Sequence, residues 1–301
     1  MAWLWGRGKR HQVGQIEAAG DGRRFLWLGE RRHVADAPYV LPSDDQEINR
    51  LDFQHYMLRY ALRRNFAAPL NRPASILDIG SGTGRWAMEM AQLFPNTNVI
   101  GTDLVEPKAD NLSNGIGKRP DNYTFVQGNI LEGLPFADGT FDFVHMRLLL
   151  FAIAKETWPA VARELVRVTR PGGLVESVET GPQRDGGPAM DTLVQWITEA
   201  SARRGVDPLL GPHVAGFLEN AGLKNVVKRE VLLPVGTYGG RLGNMAAADV
   251  FGVMTGVKQL VVAQGIAEAP AYDAALAQVR IDLDRMRCTL PFYIAHGQKP
   301  K

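Results

Sequence analysis

Cysteine is almost missing from this chain: Cys288 is the single cysteine among 301 residues. An intrachain disulfide is therefore excluded, and so is a cysteine-built zinc centre. Such usage fits a reducing compartment, and the chain reads as cytoplasmic. Charge imbalance is missing as well. Lys plus Arg number 34 and Asp plus Glu 32, giving a net charge of +2. So small a surplus asks for no polyanionic partner, and neither nucleic acid nor membrane is expected. Residues Met1 to Gly8 contain Trp3, Leu4 and Trp5 but no sustained apolar run, so they supply neither a signal-peptide core nor a spanning helix. Internal repeats and low-complexity tracts are absent too.

What is present is an ordinary globular composition, 45% hydrophobic and 22% charged, long enough to bury a real core. Residues 1–38 read as a partly ordered leader in which Arg7, Lys9, Arg10, Arg23, Arg24, Arg31 and Arg32 crowd. Such a basic run is usually a solvated face, although it could also meet an anion. Phe25 to Leu28, between Gly22 and Gly29, suits a short strand. Ser43 or Asp44 is placed to cap a helix over about 45–65, with Glu47 in its first turn.

From Ser75 the pattern changes to short apolar runs alternating with helical stretches, the mark of a parallel sheet wound with helices. Strands are expected at 75–79, 98–102, 123–127, 141–146 and 174–179. Helices are expected at about 85–93 and 157–168, and Pro171-Gly172-Gly173 reads as a turn. Beyond Thr180, helices are expected at 189–203, 213–221, 246–263 and 272–287, with strands at 226–233 and 289–295. The segments at about 181–205 and 240–287 exceed a minimal sheet and are expected to cap the strand ends. The fold expected is thus Rossmann-like α/β. Its seven-stranded, mostly parallel sheet carries helices on both faces, an N-terminal helix and a helical cap, all within 39–301.

The most informative segment is Ile76-Leu77-Asp78-Ile79-Gly80-Ser81-Gly82-Thr83-Gly84-Arg85, an apolar strand running through a glycine-rich turn into a helix. Ligands of doubly wound sheets bind outside the carboxyl ends of the strands, where glycine lets backbone approach closely. A dinucleotide fingerprint spaces its glycines G-x-G-x-x-G; here the spacing is G-x-G-x-G with Asp78 just before it, which suits a cationic amino-acid moiety better than a diphosphate. Asp103 ends the second strand, with Leu104 beside it. A carboxylate there can accept from both hydroxyls of a ribose, or simply cap a loop. Asn129 and Ile130 follow the third strand, where an amide and a backbone N–H can read an adenine edge; a turn asparagine is the alternative. Met146 and Arg147, at the end of the fourth strand, either face the ligand or pack. On the N-terminal helix Arg50 and Gln54 share a face. Arg50 suits a cofactor carboxylate or a surface ion pair, and Tyr39 precedes that helix.

These segments resemble class I methyltransferases dependent on S-adenosylmethionine. The match rests on Leu77 to Gly84, Gly101-Thr102-Asp103, Gly128-Asn129-Ile130 with Leu134-Pro135-Phe136, Phe141-Asp142-Phe143, and Arg170 to Gly173. A closer likeness is to the branch related to the fungal secondary-metabolism regulator LaeA. It rests on Tyr39-Val40-Leu41-Pro42, Arg50-Leu51-Asp52, Gln54-His55, Trp86, Phe94-Pro95, Phe143 to Arg147 and Lys299-Pro300. The resemblance spans roughly 39–301. It implies that Asp78, Gly80, Ser81, Gly82 and Gly84 hold the methionine moiety, Asp103 the ribose, and Asn129 with Ile130 the adenine. Many relatives carry Asp where Asn129 stands, yet Asn still accepts a hydrogen bond.

The expected activity is methyl transfer from S-adenosylmethionine to a small molecule, with secondary metabolites among the candidates. A regulator or rearrangement enzyme that binds the cofactor without methylating is the alternative, and a nucleic-acid methyltransferase using the basic leader is a third. No metal is expected. A second copy of the chain as partner stays open. Catalytic candidates are His145 and Glu179, with Glu176, His213 and Tyr238 behind them. A histidine inside a strand is more often an orienting residue, whereas Glu179 ends a strand at the expected pocket.

Overall fold

The computed structural model describes residues 15–18, 24–35, 38–107 and 118–301. Arg7, Lys9, Arg10 and Arg23 of the basic leader lie outside the described residues. The described part of the leader is more regular than its composition suggests. Strands β1 (Ile16–Ala18), β2 (Arg24–Leu28) and β3 (Arg31–Val34) form an antiparallel meander, where a single strand was expected. Apolar alternation is poor in β3 because its charged residues find partners in the fold. Arg31 pairs with Asp44 at 2.6 Å and Arg32 donates to the Ser43 carbonyl. His33 is buried, and desolvation holds its imidazole down at about 4. Leu28 joins the main apolar cluster of the cap.

Helix α1 (Asp45–Leu62) starts where Asp44 accepts from the Glu47 N–H at 3.0 Å, with Asp45 and Glu47 in the positive first turn. Although burial works to raise it, the Arg31 and Glu47 hydrogen bonds hold the Asp44 carboxyl below the usual range. Asp44 therefore both caps α1 and ties β3 to it. We expect Asp44→Ala to lower the unfolding free energy by about 1–2 kcal/mol, read from urea midpoints at an unchanged m value.

Seven strands form the main sheet in the order β6-β5-β4-β7-β8-β10-β9. They are β4 (Ser75–Ile79), β5 (Asn98–Asp103), β6 (Tyr123–Gln127), β7 (Phe141–Arg147), β8 (Thr169–Thr180), β9 (Lys224–Pro234) and β10 (Thr289–Gln298). The pairs from β6 to β8 are parallel, and β10 runs antiparallel to both β8 and β9. The chain leaves β4 toward β5 and β6 and then returns to β7 on the other side. That reversal opens a crevice at the carboxyl end of β4.

Helix α2 (Arg85–Leu93) packs on one face through Trp86, Ala87 and Met88 against Ile76, Val99 and Phe143. Helices α3 (Trp158–Val168) and α5 (Val214–Asn220) cover the other, where Trp158, Leu165 and Leu218 meet Val144 and Val175. The cap is built from α1, α4 (Pro188–Ala202), α6 (Gly240–Ala263) and α7 (Ala269–Met286), whose core includes Met57, Leu193, Met254, Tyr272 and Leu283. By length and composition α6 suffices to cross a membrane. In this fold its Val250, Met254, Val257 and Val261 are buried in the cap core.

Two boundaries differ from expectation for identifiable reasons. The Pro171-Gly172-Gly173 turn is absorbed into β8, because Gly172 donates to the Lys299 carbonyl and Lys299 donates back to Gly173. Helix α6 begins at Gly240 rather than Ala246 despite its glycines. A side chain at Gly243 would strike the Gly236 carbonyl oxygen, so the glycine permits a close approach that outweighs its poor helix propensity.

Candidate active site

The turn after β4 has three glycines in the left-handed region: Gly80 at φ +64°, Gly82 at +53° and Gly84 at +75°. Only glycine adopts such a run without strain. The turn is tied to the next strand. Ser81 donates to the Thr102 carbonyl at 3.0 Å, and the Gly82 N–H donates to Asp103 Oδ2 at 2.8 Å. The other carboxylate oxygen accepts from the Leu104 N–H at 2.7 Å. Burial raises the Asp103 carboxyl above its ordinary value, with the two N–H groups opposing it and Asp78 adding repulsion. The Val105 N–H also bonds this carboxylate, whose lone pairs outnumber these donors, leaving room for a further one.

Beneath the turn, Asp78 accepts from His145 Nδ1 at 2.8 Å, and the imidazole lies flat on Trp86 with ring centroids 3.7 Å apart. Both polar groups are buried. His145 thus belongs to the floor of the turn and does not line the cavity described below, which favours the orienting reading of it. Met146 is also enclosed, packed in the cluster under α3. Arg147 sits higher, its Nη2 3.2 Å from His55 Nδ1. Burial lowers its pKa while Asp78, Glu89, Glu176 and Glu179 pull it up.

Asn129 makes a turn with its own side chain: Oδ1 accepts from the Leu131 N–H at 3.0 Å and Nδ2 donates to Glu132 at 2.9 Å. One of the two amide donors is therefore used locally, and the oxygen keeps a second lone pair. Ile130 is half-buried, and Leu104 and Leu131 are exposed at the rim.

Between the cap and the carboxyl ends of β7 and β8 lies a cavity of about 880 Å³ including its mouth. Its walls are mostly apolar, from Leu41, Phe151, Val194, Ile197, Val253 and Phe292, with Tyr39, Arg50, Gln54, Glu179 and Asp249 as polar members. The Arg50 guanidinium is held by Glu47 and Asp249, each at 2.6 Å, the ion-pair alternative, which engages three of its five N–H groups. Gln54 Nε2 donates to the same Asp249 at 2.8 Å. The local helical spacing gave no sign of this, because Asp249 lies on α6, far along the chain.

Glu179 is fully buried at the end of β8 and accepts from the Leu149 and Leu150 N–H groups at 3.0 and 3.3 Å. These donors are aimed by Leu148, a non-glycine residue in the left-handed region at φ +58°. Leu149 in turn lies over Gly80, where a Cβ would approach its Cδ2 to 2.6 Å. Burial pushes the Glu179 carboxyl up to about 8, against the pull of those N–H groups and Arg147. Of the remaining candidates, His213 is exposed, and Glu176 and Tyr238 are occupied elsewhere. Glu176 accepts from the Ala67 and Ala68 N–H groups, and the Tyr238 hydroxyl donates to the Cys288 carbonyl.

Residues 76–173 match the family model of a methyltransferase domain. Methyltransferase str3 of Strobilurus tenacellus is 32% identical over 209 residues, covering 67% of this chain and 72% of that one. The chain belongs to the class I S-adenosylmethionine-dependent methyltransferases. N-methyltransferase sirN of Leptosphaeria maculans is 29% identical to this methyltransferase over 90% of its length and 98% of the relative's. The secondary metabolism regulator laeA of Gibberella zeae is 32% identical across 53% of the chain and 52% of its own, which puts the methyltransferase near the LaeA-like branch. In fold it is similar to phosphoethanolamine N-methyltransferase 2 of Haemonchus contortus, solved with S-adenosyl-L-methionine. The TM-score is 0.51 at 17% identity, over 84% of this chain and 52% of that one.

S-adenosylmethionine is the cofactor of the methyltransferase. The residues present fit it. A Cβ at Gly82 would point into open space, its nearest neighbour Leu51 Cδ1 at 3.9 Å, so the glycine leaves a cradle between the turn and α1. Two carboxylates, Asp78 and Asp103, flank that turn and would repel a diphosphate while suiting a sulfonium and an ammonium.

Proposed function

We propose that the methyltransferase moves the methyl group of S-adenosylmethionine onto a small organic molecule held in the cavity under the cap. The hydrogen bond from Gly82 to Asp103 carries this reading, because it fastens the glycine turn to the one carboxylate ending β5. In this assignment Asp103 binds the ribose hydroxyls, and Gly80, Ser81, Gly82 and Gly84 form the wall for the methionine moiety. Ile130, Leu104 and the Asn129 oxygen border the adenine, and Tyr39 and Gln54 border the acceptor. Residues 39–301 form the catalytic domain, with the meander as an accessory. The cofactor supplies an electrophilic methyl on a sulfonium; the chain's own residues supply position, dryness and a proton acceptor.

A cavity with apolar walls and a few convergent polar groups suits a small ligand. The Leptosphaeria maculans relative is named an N-methyltransferase, which supports a heteroatom as acceptor. Incubating the protein with methyl-labelled cofactor and a metabolite extract tests the reading. Label in low-molecular-mass products supports it; label retained entirely in the cofactor, from protein that binds S-adenosylhomocysteine, overturns it.

Glu179 also makes stability depend on pH. Its pKa is raised on folding, so the folded chain keeps a proton that the unfolded chain has released. The neutral form's advantage is complete at acid pH and disappears as pH climbs through about 8. The melting temperature is expected to fall more steeply between about pH 5 and about pH 9 in the native protein than in Glu179→Gln. Parallel melting curves over that window would refute this.

A further inference from the structure

The charged groups around the cavity do not balance. On the cap side, one guanidinium, Arg50, faces two carboxylates, Glu47 and Asp249, with side chains only 4% and 3% exposed. On the sheet side, Glu179 faces the same cavity from the end of β8. The cation nearest Glu179 is Arg147, and its charge is divided among Asp78, Glu89, Glu176 and Glu179. Thus Arg50 and a shared Arg147 stand against the buried acids of both walls. The two carboxylates of the cofactor turn are engaged there, Asp103 assigned to the ribose and Asp78 paired with His145 beneath the turn. The acids of the acceptor cavity are additional to those.

Burying unbalanced carboxylates is costly unless a cation joins them or a proton neutralises them. Burial moves Glu47, Asp249 and Glu179 all in the direction that resists ionisation. The apolar part of the wall, from Leu41, Phe151, Ile197 and Phe292, offers nothing to an anion, and the other polar members, Thr180, Gln183 and Thr198, carry no positive charge.

We infer that the acceptor is an amine with an apolar body, bound as its ammonium between Glu179 and the Arg50–Asp249 cluster, with Glu179 receiving its proton. This rests on the small-molecule reading above and narrows it to a substrate class. The step balances. The ammonium gives one proton to the Glu179 carboxylate. The freed nitrogen lone pair forms the new C–N bond as the C–S bond breaks, and that bonding pair stays on sulfur. The products are a methylated ammonium and S-adenosylhomocysteine, and Glu179 returns its proton to solvent through the mouth. A basic nitrogen is the acceptor for which this carboxyl is well matched. An alkyl alcohol is far too weak an acid, and a carboxylate acceptor would add a further negative charge to the cavity.

The test uses the full chain saturated with S-adenosylhomocysteine and three probes of one shape: tryptamine, tryptophol and indole-3-acetate. Calorimetry near neutral pH is expected to give tryptamine a roughly tenfold or greater advantage over both, the size of one charge-assisted contact. Glu179→Gln should reduce that advantage to within about threefold while leaving S-adenosylhomocysteine affinity unchanged. Asp249→Asn should reduce it partly; should that variant fail to fold, Glu179→Gln decides. Arg50 and Asp249 line the cavity with Glu179, and Arg147 acts on Glu179 without lining it, so the tryptamine advantage should also grow as pH rises and the carboxyl ionises. Equal or tighter binding of tryptophol or indole-3-acetate overturns the inference. So does an amine preference that survives Glu179→Gln, or the failure of all three probes to bind at millimolar concentration. If labelled methyl reaches alcohols or acids in the metabolite extract but no amine, this inference falls while the small-molecule reading stands.

Discussion

Asp103→Ala is expected to weaken S-adenosylhomocysteine binding by roughly a hundredfold or more, with a much smaller effect on the melting temperature. Two charge-assisted hydrogen bonds to a ribose diol are each worth about 1.5–3 kcal/mol, so loss of both, about 3 kcal/mol at the low end, exceeds two orders of magnitude. The side chain also holds the Gly82 N–H, so its removal loosens the turn and adds to the loss of affinity. Asp103→Asn is the informative control. The amide keeps one acceptor but turns a donor toward either Gly82 or Leu104, both of which donate already, so it should lose nearly as much. Calorimetry against unliganded melting curves separates cofactor binding from stability. Native affinity in Asp103→Ala would remove the ribose assignment.

The largest loss of stability is expected at Trp86. Its side chain is 2% exposed, lies flat on His145 and donates through Nε1 to the Asn65 carbonyl at 2.7 Å. Truncation to Ala removes about 3–5 kcal/mol, the range for large aromatics in a packed interior. Here the cavity would open directly beneath the His145–Asp78 pair, so cofactor affinity should fall together with stability. Trp86→Phe keeps a ring over the imidazole and loses the indole hydrogen bond; it should recover most of the stability. Urea unfolding of the three proteins checks the order. A Trp86→Ala variant within about 1 kcal/mol of the native protein would show that the stack contributes little.

Much of this architecture can be read locally, for a physical reason. Strands β4, β5 and β7 are short apolar runs beside glycine or acid, and a parallel strand buried on both faces has to be apolar throughout. The Gly80–Gly84 turn and Asp103 come together as read, because sequential β-α-β units place successive strand ends side by side. Partners far apart in the chain are a different matter. Arg50 has Glu47 one turn away on its own helix, but nothing near it announces Asp249, which arrives from α6. Glu179 as a cavity wall was legible from the end of its strand. The N–H groups of Leu149 and Leu150 that receive it depend on the left-handed Leu148, which no propensity anticipates. Asn129 carried two readings, and its side chain makes the turn. The β1–β3 meander was hidden because Arg31 and Arg32 are stabilised by Asp44 and Ser43 rather than by apolar burial.

Strand β9 pairs with β10 and with no other described strand, and α6 and α7 form the connection between them. Both ends of that helical segment are consequently pinned to neighbouring ribbons of one hairpin. A flap fastened along one edge swings open; a handle riveted at both feet can only flex. Traffic into the chamber beneath must pass around side chains at its mouth, and admission is then a matter of rotamers and girth rather than of a swinging door.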